Sequence, residues 1–205
     1  MTLHEARIVL AENNYDLYES AIDKIAICRK RITDHIDRVK YFYKVLVASG
    51  QIPLKCIDTA RVQQHDKDKL EPENLRRQAL RFSETGNYSE KDKEDINNVV
   101  IEHIKSNPHH CEFWGKGDHN TVGMNCTNMD ETYIYEMAAD WAATAEEHGS
   151  KLMDWYNKTV NKRWMFDEWQ CDILKDACEY LEDYIEPNLK RDYGLTYVDP
   201  ANFKK

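Results

Sequence analysis

At 205 residues, with 32% charged side chains and few glycines (7) or prolines (5), the chain can bury one sizeable core and suits long helices better than a turn-rich sandwich. A formal net charge of −9 excludes a protein that coats DNA or RNA, because neutralising a phosphate backbone takes a broad Lys/Arg surface; a small anion in a local basic pocket stays open. The cysteines (Cys28, Cys56, Cys111, Cys126, Cys171, Cys178) form no C-x-x-C pair, the sequence opens with no basic-then-apolar leader, and no apolar run is long enough for a bilayer, so a reducing, cytoplasmic setting without a membrane partner is expected.

The expectation is one all-α domain over residues 1–205, a bundle of about six to seven helices with its core over 15–190 and a C-terminal tail at 191–205. Over residues 15–49 the positions Ile22, Ile25, Ala26, Ile32, Ile36, Val39, Phe42, Tyr43 and Leu46 recur three and four apart, the stripe of one long amphipathic helix. Gly50 closes it and Pro53 bars continuation; a second helical pattern with Ile57 and Ala60 runs over 54–65, leaving His65 and Asp66 near a helix end. Glu71-Pro72-Glu73 starts a short helix to about residue 82, with proline in the first turn, and 83–88 reads as a loop. Ser89 with Asp92 forms a capping-box variant ahead of the stripe Ile96, Val99, Val100, His103, Ile104. Residues 107–128, with Pro108, Gly115, Gly117 and Gly123, are expected to form a long irregular loop of the kind that carries function. Helices follow over 129–148, 150–162 and 166–186, the last stopped by Pro187.

Three of these helices turn an ionisable side chain inward. His35 lies between Ile32 and Val39, His103 beside Val99 and Val100, and Asp140 on a face with Tyr133, Glu136 and Met137. A buried imidazole or carboxylate needs a hydrogen bond or a metal to offset its lost hydration. With His65, Asp66, His109 and His110 added, the order is H, HD, H, HH, D. Imidazoles and carboxylates suit divalent metals (Mn, Fe, Zn, Co or Mg), and a set without thiolate favours an open, water-bearing site. There are donors enough for one or two ions, with Asp66 able to bridge. Pro108 should break the helix after His103 so that His109 and His110 turn back to the same cluster, while Phe113 and Trp114 pack the loop over the pocket and the glycines leave its far end mobile as a lid. Lys69, Arg76, Arg77 and Arg81 follow the HD pair directly; they form either the wet face of a short helix or a positive wall for phosphate. His4, His119 and His148 fall outside the pattern and are expected to be solvated.

This ligand order resembles the HD-domain superfamily, whose helical members place H, then HD, then D, and whose binuclear members add histidines between. The matching residues are His35, His65 with Asp66, His103, His109 or His110, and Asp140 within Glu136-Met137-Ala138-Ala139-Asp140-Trp141, over roughly residues 30–145. His65-Asp66-Lys67-Asp68-Lys69 is similar to the H-D-x-x-K start of several phosphohydrolases of that superfamily, which implies Lys69 as a phosphate contact. Asn107-Pro108-His109-His110 followed by Phe113-Trp114 further resembles a group of uncharacterised phage and prophage proteins with HD-like spacing. The resemblance implies a metal-dependent phosphohydrolase acting on a nucleotide or another small phosphate ester, in the cytoplasm, or in that of a host if the chain is phage-encoded. His35, His65, Asp66, His103, His109, His110 and Asp140 would hold the metal, with Asp66, Lys69 and Glu136 in catalytic roles, Glu136 as a base behind the ligands and Lys69 on the phosphate oxygens. Lys69, Arg76 and Arg77 would meet the substrate. Two other readings stand beside it: a mixed-valent di-iron oxygenase, separated by iron content, and a non-catalytic phage protein that sequesters a nucleotide, separated by the absence of product.

Overall fold

The computed structural model describes residues 15–81, 89–117 and 120–186, with side chains from residue 22 on; the expected tail, the loop 83–88, Pro187, His4 and His119 lie outside these residues. Helix α1 (Tyr15–Ala48) is the long amphipathic helix that the spacing predicts. Its stripe serves two separate cores. Cys28, Ile32 and Ile36 pack with Leu75 and Ala79 in a small cluster, whereas Val39, Phe42, Tyr43 and Leu46 enter the main one. His35 sits at the junction. The stripe fades toward the N-terminus, where Ile22 is exposed.

After Gly50, a left-handed helix stop, the expected single helix over 54–65 is broken in two: a 3-10 turn (Leu54–Cys56) and α2 (Thr59–Val62). The cause is local. Ile57 is extended, and the Asp58 carboxylate accepts the Arg61 N–H to cap a new start. A second 3-10 turn (Lys67–Leu70) leads into α3 (Pro72–Ala79), which packs on α1. Helix α4 (Glu90–Ser106) opens with the reciprocal capping box of Ser89 and Asp92.

The segment 107–128 is more ordered than its composition suggests. It holds α5 (Cys111–Gly115) and strand β1 (Met124–Asn125), which pairs in parallel with β2 (Trp164–Met165). At Gly115 an added Cβ would run into the Met124 side chain. Glycine there permits the close contact between α5 and β1.

Helix α6 (Glu131–His148), capped by the Asp130 carboxylate on the Thr132 N–H, is the central element, packed between α1 and α8 (Glu168–Glu182). Between them α7 (Leu152–Thr159) ends three residues before the expected 162, because Val160 turns extended toward β2 and Asn161 is left-handed. Among the described residues there are thus eight α-helices and two short strands in place of six or seven helices. None of these helices is long and apolar enough to cross a membrane, and all six cysteines are free thiols.

Candidate metal centre

Five segments deliver the donors. His35 comes from the middle of α1, His65 and Asp66 from the turn after α2, His103 from the last turn of α4, His109 and His110 from the link to α5, and Asp140 from the middle of α6. Neighbouring side chains on a regular helix diverge by about 100°, so His65 and Asp66 meet one site only because Asp66 is left-handed, at φ 56° and ψ 13°. A non-glycine residue in that region and almost wholly buried is the kind of backbone strain that concentrates at functional sites. Likewise α4 stops at Ser106: Asn107 is extended, Pro108 follows, and His110 becomes the residue before α5, so both histidines fold back onto His103. Ring centroids of His103 and His110 are 4.8 Å apart, and those of His109 and His110 4.2 Å.

The donor atoms fall into two groups that share Asp66. On one side His35 Nε2 lies 3.6 Å and His65 Nε2 3.6 Å from Asp66 Oδ2, with Asp140 Oδ1 2.9 Å from His35 and 3.8 Å from His65. On the other, His103 Nε2 and His109 Nε2 lie 3.1 and 3.5 Å from Asp66 Oδ1, and His110 Nε2 is 2.9 Å from His103 Nε2. Ligands bound at about 2.0–2.2 Å stand roughly 3–3.6 Å apart at octahedral or tetrahedral angles, which is the spacing seen. His65 Nε2, Asp66 Oδ1 and His109 Nε2 are moreover buried without a hydrogen-bond partner. Orphaned polar atoms of this kind are rare in native cores, and these converge on one another. The residues fit a metal: both groups, His35/His65/Asp140 and Asp66/His103/His109/His110, could hold an ion.

Behind the ligands stand carboxylates that turn the imidazoles. Glu136 Oε1 is 2.9 Å from His65 Nδ1 and 3.7 Å from His109 Nδ1, and Asp68 Oδ2 is 2.7 Å from His103 Nδ1. Such contacts favour the tautomer whose Nε2 is left as a free donor toward the cluster. Glu136 is also ion-paired to Arg61 and does not border the cavity, a position from which it contacts the imidazoles and not the cavity's contents.

The electrostatics leave most donors in their ligating forms. Burial alone would raise Asp66, but Lys69, His65 and His103 hold it well below the usual carboxylate range; His35 and His65 do the same for Asp140. Burial, reinforced by His65, lowers His109, and burial with His109 and His103 as neighbours lowers His110 further, so both are neutral imidazoles. Burial also pushes His65 down, yet Asp66, Glu136 and Asp140 outweigh it and raise the group above its ordinary value.

A cavity of about 260 Å³ opens beside the first group, bordered by His35, Asp66, His110 and Asp140. Of the four basic residues after the HD pair, Lys69 and Arg81 reach it. Arg76 and Arg77 do not: the inner face of α3 is Leu75, Gln78 and Ala79, and the two arginines point outward to Glu73 and Glu102. Phe113 and Trp114 do not cover it either, since Trp114 packs on Tyr133 and donates to the Pro108 carbonyl while Phe113 is exposed. Sequence reasoning missed Asp68, Arg31 and Glu147, and set aside His148, which borders the cavity mouth. Arg31 precedes His35 by one helical turn, and Glu147 follows Asp140 by two, bonded to Arg31; that spacing was the available signal.

A family model described as "Family of unknown function (DUF5662)" matches residues 10–187. No curated protein and no solved structure matches the chain.

Proposed function

Because the chain belongs to the DUF5662 family, whose description names no activity, its chemistry is read from the site, and we propose that it is a metal-dependent phosphohydrolase of HD-domain type acting on a small phosphate ester. The observation that carries this reading is Asp66, whose Oδ1 and Oδ2 face different donor groups, as a carboxylate bridging two ions would. Five imidazoles among the donors favour Zn, Fe or Mn over Mg, which prefers oxygen ligands. When bound, such ions acidify water toward a pKa of about 7 and draw charge from a phosphoryl oxygen.

The chain's own residues do the rest. Lys69 Nζ, 2.5 Å from Asp66 Oδ2 and at the cavity edge, holds that carboxylate ionised and is within reach of a phosphate oxygen entering the cavity. Glu136 and Asp68 keep His65 and His103 in the donating orientation. Burial of His65, Asp66, His103 and Glu136 lowers the local dielectric and so strengthens the contacts among them.

The test is metal analysis of protein purified without chelator, alongside phosphate release from generic esters. One or two ions per chain are expected, lost in His65→Ala and Asp66→Ala and reduced in single alanine variants of His103, His109 and His110. Metal-free wild type, or full occupancy in Asp66→Ala, overturns the reading.

A further inference from the structure

The cavity beside the metal centre bears on the kind of ester the site takes, given the phosphohydrolase reading above. At about 260 Å³ it is smaller than the roughly 300–1,000 Å³ of pockets that enclose drug-sized ligands. Among the described residues no Phe, Tyr or Trp borders it, and its apolar wall is limited to Cys28 and Ile32. Nucleobases are held largely by stacking on aromatic faces, at about 1–3 kcal/mol per base, and among the described residues the only rings at the wall are imidazoles, of which His35 and His110 belong to the metal centre and His148 alone stands outside it. What the walls supply is charge. Arg31, Lys69 and Arg81 border the cavity against the one wall carboxylate outside the metal centre, Glu147, in a chain of net charge −9. Guanidinium forks match phosphate oxygens in a way a lone ammonium does not.

We propose that the site takes a compact phosphate monoester of a small aliphatic alcohol or polyol, not a nucleotide, with Arg31 and Arg81 as the clamp on its phosphate. A monoester offers three terminal oxygens, enough for the metal centre, Lys69 and the clamp together. In the reaction the oxygen of water bonds to phosphorus and the P–O bond to the alcohol breaks. The two protons of water divide between the leaving alkoxide and the phosphate, and no oxidant or reductant takes part.

Calorimetric titration of the protein, purified without chelator, with glycerol 2-phosphate and with adenosine monophosphate tests this, together with phosphate release from both. Glycerol 2-phosphate should bind at least tenfold more tightly. Arg81→Gln should weaken it at least tenfold while metal content and melting temperature stay at parent values. Arg31→Lys, which keeps the charge beside Glu147 and removes the fork, should weaken it severalfold. Equal or tighter binding of adenosine monophosphate, no binding of either ester, or unchanged affinity in both variants overturns the proposal. Phosphate release from adenosine monophosphate without that preference keeps the hydrolase reading and removes the compact-ester one. Selective binding of glycerol 2-phosphate without release from any ester upholds the compact-ester class and removes hydrolysis.

Discussion

Removing the charge of Glu136 tests whether the buried carboxylates serve the metal or only the fold. In Glu136→Gln the shape is kept but the acceptor on His65 Nδ1, 2.9 Å away, loses its charge. Loss of a carboxylate behind a metal-bound histidine lowers affinity about 10–100-fold, or roughly 1.4–2.8 kcal/mol. Glu136 is almost fully buried and faces two ligand imidazoles, so the upper half of that range is expected. The comparison variant is Asp68→Asn, whose side chain is 34% exposed beside His103; water replaces part of what it loses, and about tenfold is expected. Glu136 also neutralises Arg61, and breaking a buried pair costs about 3–5 kcal/mol, less here because the arginine side chain is 20% exposed. The two effects separate by assay. Fold cost appears in the melting temperature measured with excess chelator, whereas the orienting effect appears in metal affinity measured against a competing chelator. If Glu136→Gln binds metal as tightly as wild type while melting lower, the carboxylate is structural and the ligand assignment of His65 is wrong.

Chelation of the wild type should lower its melting temperature, since metal at a thousandfold its dissociation constant adds about 4 kcal/mol to the folded state, roughly 8–16 °C for a chain of this size; an unchanged curve would mean that the histidines are satisfied without metal. Asp130→Ala should cost about 1 kcal/mol at neutral pH as a lost helix cap. The Thr132 N–H holds the Asp130 carboxyl below its ordinary 3.8, so the cap is fully present above that pH and is lost as pH falls through the depressed folded value. The gap between variant and parent in urea titrations should therefore close in acid, and a gap independent of pH would contradict the assignment. Gln170→Leu should cost about 3 kcal/mol, because the buried amide donates to the carbonyls of Met129 (2.8 Å) and Thr127 (3.2 Å) and leucine leaves both without it; a melting shift under roughly 3 °C would mean that other donors replace it.

How much of this was legible in the sequence depends on what carries each residue. His35 and Asp140 ride on long regular helices, so the phase of their apolar neighbours places them inward. Pro108 announces the break that returns His109 and His110. The left-handed turn at Asp66 carries no such signal, and with it goes Asp68: in a 3-10 turn, periodicity says nothing about where a Lys-Asp-Lys run points, and this aspartate lies against His103. Arg76 and Arg77 were misplaced because the phase of α3 is set by Leu75, Gln78 and Ala79, and two turns are too short to fix a phase from sequence. The pairing of β1 with β2 joins residues about forty positions apart through two-residue strands, too short for any alternation to register.

That pairing bears on when, during synthesis, the site becomes complete. All the candidate ligands have been made once α6 is made, yet the segment holding His109 and His110 is clasped by groups that come later. The Arg163 carbonyl accepts the Met124 N–H, the Met165 carbonyl accepts the Cys126 N–H, and Gln170 grips the chain just before α6. A growing chain that has emerged only through α6 therefore carries every donor but not the clasp, and its first donor group, built on α1, α6 and the turn after α2, can form ahead of the second. Metal capture would then proceed from the helical side outward, with the stretch from Arg163 to Gln170 acting as the latch.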